Sequence, residues 1–155
     1  MAHVELSLSD VFVPAAGTST EQESDSLDSL ARWSSTVFHA DEPCLLIDAG
    51  TRVVAVSATG CELLCLGDPE DVTGLPLLEG GLRLLDFTAN RCELTEPEID
   101  KIPPLLALSS GRLARGLLRV QGASADAPDS TVDAISTPVF TGATVVGSLT
   151  FFSPV

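Results

Sequence analysis

Residues 44–67 read CLLIDAGTRVVAVSATGCELLCLG. A short apolar run, Cys44-Leu45-Leu46-Ile47, breaks at Asp48-Ala49-Gly50-Thr51, and a second, Val53-Val54-Ala55-Val56, follows at once. Two runs rich in β-branched residues, split by a short Gly-containing turn, predict a β-hairpin. Ser57 then stands where a helix N-cap belongs, and 58–66 reads as a helix stopped by Gly67. Cys61, Leu64 and Cys65 share one face of it at spacings of three and four. The stretch carries no catalytic constellation, so function has to be read from its surroundings.

The chain has 155 residues, enough for one domain that buries about 68–70% of its unfolded surface. Its formal net charge is −14, with eight basic residues, seven of them Arg and no two adjacent. That excludes a nucleic-acid backbone or an anionic membrane surface as the expected partner, since both need clustered cations. No run approaches the roughly 18 consecutive apolar residues of a membrane span. The start, MAHVELSLSDVFVP, lacks the basic and apolar regions of a signal peptide, so a cytoplasmic location is expected. Cys44, Cys61, Cys65 and Cys92 then read as reduced thiols packed as small hydrophobes. There is no Cys-x-x-Cys pair, and His3 and His39 stand far from the cysteines, so no metal site is expected.

Outward from the hairpin, residues 1–13 alternate weakly, and 14–25 form a Ser/Thr/Gly/Glu-rich linker. We divide the chain into an arm and linker over 1–26, an amphipathic helix and its exit over 27–42, and a domain over 43–155. Leu27, Leu30, Ala31, Ser34, Val37 and Phe38 trace the helix stripe, with Trp33 beside it. Thr95 and Glu98 have capping-box spacing, and Pro103-Pro104 must kink or restart the helix that follows. The last forty residues read as three strands, 113–121, 131–140 and 144–152, the last two joined by the turn Thr141-Gly142-Ala143. Helix, two strands, helices, three strands is the order of an α+β fold, with a five-stranded antiparallel sheet and the helices on one face.

With these residues, that order resembles the PAS domain family of sensory modules. The resemblance runs from about Pro43 to Phe152. It is carried by PCLLIDAGTRVVAVSATGCELLCLG for the hairpin and helix and by VTGLPLLE for the loop beyond. IDKIPPLLALSSGRLARGLLRV supplies the long helix and third strand, and STPVFTGATVVGSLTFF the terminal hairpin. The second strand commonly ends in Asn in the family, where Ser57 stands here. Many members close on Asp-[Ile/Val]-Thr, where this chain has Phe151-Phe152-Ser153-Pro154. The resemblance implies the fold and a role in signal transduction through a partner. Flavin-binding members carry Gly-x-Asn-Cys-Arg-Phe-Leu-Gln before the long helix. Here Thr88-Ala89-Asn90-Arg91-Cys92-Glu93-Leu94 interchanges Arg and Cys and lacks the aromatic, so a cysteinyl-flavin is disfavoured. Haem is disfavoured as well, because 95–111 contains no His.

Strand alternation predicts which residues face the helices: Ala114, Gly116, Leu118 and Val120, then Val132, Ala134 and Ser136, then Val145, Gly147, Leu149 and Phe151. So many small residues leave room either for a small apolar ligand or for closer helix packing. A pocket would be walled by Leu85, Phe87, Leu105, Leu108, Leu118 and Leu149, with Arg83 and Cys92 at its mouth. Leu113, Leu117, Ile135, Val146 and Phe152 fall on the outer face. They would form an exposed patch unless the helix of Leu27, Leu30, Trp33 and Val37 covers it, in its own chain or in a homodimer. A sensory and protein-interaction module is the leading expectation, with a ligand-free dimerisation domain as the alternative. An enzyme is not expected, because the carboxylates cluster in loops and neither His falls in the core.

Overall fold

The computed structural model describes residues 19–155. The arm and the start of the linker lie outside them, as does the side chain of Leu27. Helix α1 spans Ser19–Phe38, so it starts eight residues before the expected helix. Strands β1 (Cys44–Asp48) and β2 (Val53–Val56) form the hairpin. Asp48 closes its turn by accepting the amides of Gly50 and Arg52 at 2.9 and 3.0 Å, with Thr51 at φ 64°. Ser57 caps α2 (Ala58–Leu63) by accepting the Gly60 amide at 3.1 Å. It also accepts the Cys44 amide at 3.0 Å and donates to the Glu42 carbonyl at 2.8 Å, tying the helix start to the hairpin. The helix ends before Gly67, at Leu64, and Cys65 takes the left-handed conformation at φ 55°.

Beyond lie α3 (Pro69–Val72), a two-residue strand β3 (Leu84–Leu85), α4 (Glu96–Ile99) and α5 (Pro103–Ser110). Pro103 and Pro104 start α5 afresh, because the first turn of a helix does not use the amides that proline lacks. Gly111, left-handed at φ 65°, ends it. Strands β4 (Ala114–Val120), β5 (Ser130–Thr141) and β6 (Thr144–Pro154) complete a six-stranded antiparallel sheet in the order β2-β1-β6-β5-β4-β3. The sixth strand, β3, adds one to the five expected.

Both faces of the sheet are covered near its middle. Leu45, Ile47, Val56, Leu118, Val120, Val132 and Phe152 join residues of α2 and the following segments in the larger core. Cys44, Leu46, Ala55, Val139 and Leu149 pack with Val37 of α1 in the second. This accounts for the unbroken apolar run Cys44-Leu45-Leu46-Ile47, all buried, because a strand covered on both faces has no polar side.

The expected facing of β6 is corrected. Val139 pairs with Gly147 but Phe140 with Val145, so Val146 is an extra, bulged residue. Val145 lines a groove with Leu105 and Leu108 of α5, on the inner side as expected. Past the bulge the alternation inverts: Ser148, Thr150 and Phe152 face inward, while Gly147, Leu149 and Phe151 face outward. Phe152, expected on the outer face, is therefore a core residue 4% exposed, and Leu149 lies beneath α1 instead of lining an inner pocket.

Candidate functional site

The small inner-face residues hold α5 against the sheet. A Cβ placed on Gly116 would sit 3.4 Å from Cγ of Pro103. Ser148 donates its hydroxyl to the Pro104 carbonyl at 2.8 Å, and Ser136 and Thr150, directly opposite on β5 and β6, share a 2.6 Å hydrogen bond. All three hydroxyl residues and Ala134 are wholly buried, and Ala114 nearly so. Polar groups removed from water need partners, and here each hydroxyl finds one in the protein itself. Leu105 and Leu108, half-buried, open onto a groove with Val145 and Thr51. The proposed pocket lining thus divides among the packed interior, this groove, the opposite face (Gly147 and Leu149) and a separate cleft.

That cleft, of about 280 Å³, lies where the α4–α5 elbow meets β4. Leu85, Phe87, Ile102, Gly116 and Leu118 line it, with Lys101 and Arg119 among its charged residues. Cys92 is exposed, and Arg83 is engaged with Glu93 at 3.2 Å on the surface. Burial pushes the thiols of Cys44 and Cys61 above their ordinary value.

On the outer face, α1 folds back over its own sheet. A Cβ on Gly147 would lie 3.0 Å from Cδ2 of Leu30, so the bare glycine lets the helix approach closely. Val37 is buried there, and Val146 and Leu30 are half-buried. Ala31, Ser34 and Phe38 line a groove with Val54 and Ala55 of β2, so helical spacing puts the half-exposed Trp33 on the opposite flank. The helix leaves Leu113 (66% exposed), Leu117 (53%), Ile135 and Phe151 uncovered. Ile135 is the direct cross-strand neighbour of Phe151 and of Arg115. Among these apolar groups Arg115 makes a two-bonded pair with Asp133, at 3.1 and 2.6 Å. The pair raises the guanidinium's pKa and holds the Asp133 carboxyl below the usual carboxylate range.

Sequence reading missed a second charged cluster. Arg91, at φ 51°, grips Asp129 with bonds of 2.6 and 2.7 Å, and Arg119 reaches Asp129 at 3.2 Å. Arg119 also donates to the carbonyls of Asp86 and Thr88 at 3.1 and 2.9 Å. Asp86 accepts the Thr88 hydroxyl and amide and the Cys92 amide, at 2.7, 3.1 and 3.2 Å. The Thr88 hydroxyl chiefly, with those amides and Arg119 behind it, pulls the Asp86 carboxyl down, and Arg91 does the same for Asp129. Asp-x-Thr at 86–88 is the local signal for the turn; the partners 31 to 38 residues away leave none.

A twisted antiparallel sheet in this strand order, with short helices crossing one face and a helix before β1 crossing the other, is the PAS fold. The chain is similar to the PAS domain of a protein from Colwellia psychrerythraea, at 13% identity and TM-score 0.55, over 81% of this chain and 96% of that one. It is similar to the PAS domain of an HTR-like protein from Haloarcula marismortui, at 14% identity and TM-score 0.50, over 88% and 99%. The Rhodobacter sphaeroides LOV protein matches at 13% identity and TM-score 0.57, over 84% of this chain and 67% of that one. At such identities the likeness establishes the fold. No family model matches the sequence, and no curated protein does.

Proposed function

We propose that the chain is a cytoplasmic sensory and protein-interaction module of signal transduction. It works through its outer face, without a small molecule between α5 and the sheet. The observation that carries this reading is the seating of α5: Pro103 lies against Gly116 and the Pro104 carbonyl is bonded to Ser148, where a ligand would otherwise lie. The role is non-catalytic. The carboxylates of Asp86, Asp129 and Asp133 are committed as clamps, and His39 Nδ1 lies 2.9 Å from the Ser35 carbonyl at the exposed end of α1. Neither a nucleic acid nor a membrane is a partner in this reading. The net charge of −14 supports the first, and no helix among the described residues is long and apolar enough to cross a bilayer.

The partner is a second copy, paired through α1 and the outer sheet face. Supporting this, Leu113, Leu117, Ile135 and Phe151 form an apolar patch that α1 leaves open. A two-fold axis near it would set the Arg115–Asp133 pair against its own copy, acid facing base. Native mass spectrometry of the purified protein tests the first part; a small molecule retained at one per chain would sink it. Sedimentation velocity tests the second: the protein should run as a dimer, and Ile135→Glu as a folded monomer. A monomeric parent protein would reject the self-pairing and leave the face to another signalling protein.

A further inference from the structure

β4 is paired with β5 along its whole length, from Ala114 to Val120, but with β3 only at Arg119 and Val120. Asp86 is the reason β3 stops there. Its carboxylate gathers the Thr88 and Cys92 amides into a tight turn, and its own amide donates to the Cys92 carbonyl at 2.8 Å. The chain after Leu85 therefore peels away from β4, and Arg119 fastens it by the Asp86 and Thr88 carbonyls. Backbone groups alternate between the two sides of a strand. The Gln121 amide donates to Arg83, on the β3 side. By alternation Arg119, Leu117 and Arg115 turn their N–H and C=O the same way. Arg119 meets Leu85; among the described residues Leu117 and Arg115 meet no strand.

Beside Leu117 lies the cleft of about 280 Å³. Gly116, Leu117 and Leu118 of β4 line it, together with the apolar Ile102, Pro103 and Phe87. β4 carries neither proline nor bulge, two of the devices that close an exposed edge. Lys101, the single lysine of the chain, stands at the cleft and makes no ion pair among the described residues.

We infer that this edge is a docking site for an extended peptide segment, which adds beside β4 in line with β3. The segment places apolar side chains in the cleft and an Asp or Glu against Lys101. The main-chain groups of Arg115 and Leu117 repeat about 7 Å apart, the two-residue period of a strand, which an extended backbone meets and a compact small molecule does not. The acidic residue follows from the unpaired ammonium. The site takes the main-chain edge of Arg115 and Leu117, whose side chains belong to the outer-face patch; amide protection at that edge tests it, while sedimentation of the Ile135→Glu variant tests self-pairing.

The probe is a pool of acetylated, amidated heptapeptides with Val, Leu or Phe at alternate positions and one Glu between them, titrated into the 15N-labelled protein. In the free protein the Arg115 and Leu117 amides should exchange quickly while Gly116 and Leu118 are protected. Bound peptide should protect and shift those two amides. N-methylating the alternate peptide amides should weaken binding about tenfold, as expected when about one main-chain hydrogen bond is lost. Leu117→Pro removes a donor that no strand among the described residues uses and should weaken binding similarly with its circular dichroism unchanged. The N-methylated peptides carry the test if that variant misfolds. Glu→Gln in the peptide, or Lys101→Ala, should weaken binding about two- to fivefold, as for an exposed ion pair. Protection of Arg115 and Leu117 in the free protein, binding indifferent to N-methylation, or no shift at the edge at millimolar peptide would each overturn the inference.

Discussion

Removing one hydroxyl from the buried pair under α5 should cost more than removing both. Ser136 and Thr150 are wholly buried, 2.6 Å apart, and bonded only to each other among side-chain partners. Ser136→Ala deletes the bond and strands the Thr150 hydroxyl in an apolar interior. A lost bond and an unsatisfied buried group together amount to about 1.5–3 kcal/mol. Thr150→Val keeps the shape and strands Ser136 instead, at a similar cost. The double variant leaves nothing unsatisfied and should be destabilised by less than about 1.5 kcal/mol, so the coupling should be at least about 1.5 kcal/mol. At this chain length each kcal/mol moves Tm by about 2–4 °C. Urea unfolding followed by far-UV circular dichroism, run on all four proteins, measures the cycle. Additive losses would refute the reasoning: they would mean that each hydroxyl is served by something else, such as a bound molecule between α5 and the sheet.

Gly147→Val should loosen α1, because its Cβ would collide with the Ile47 carbonyl and press on Leu30. A loss of about 1–3 kcal/mol is expected, with faster proteolysis within α1; an unchanged α1 cleavage rate would count against the close approach. Asp86, Asp129 and Asp133 have folded pKa values below the ordinary one, so their contribution is fully present above the unfolded value, about 3.9, and disappears as pH falls through the folded values. Asp129→Asn should therefore lower Tm at pH 7, by an amount that shrinks as pH falls below about 3.9; a deficit independent of pH would contradict the clamp. Iodoacetamide at pH 8 should label exposed Cys92 first and Cys65 more slowly, leaving buried Cys44 and Cys61 until the chain unfolds. Peptide mass mapping gives the order, and early labelling of Cys61 would contradict its burial.

Much of the fold was legible because its signals are local. The run 44–47, the break at Asp48, the second run and the Ser57 cap each depend on neighbours within a few residues, and the hairpin and α2 formed accordingly. The prolines at 103 and 104 marked the restart of a helix for the same reason. The candidate site was less legible. The small inner residues were compatible with a pocket or with close packing, and the place of Pro103 against Gly116 is a long-range contact that no local pattern announces.

What the sequence determined by itself is the hairpin, α2, the restart at Pro103 and the last three strands, in their order, since hydrophobic period, caps and turns are properties of short segments. It also determined the net charge of −14. The tertiary structure decided which face each residue of β6 shows, because one bulged residue, Val146, inverts every side chain after it and nothing local announces the bulge. It decided as well that α1 lies on its own sheet over Gly147, and that β3 pairs with β4 only at Arg119 and Val120, where Arg119 holds the chain after Leu85. Those outcomes depend on contacts between residues far apart in the chain, and strand pairing and side-chain reach exist only once the sheet has formed.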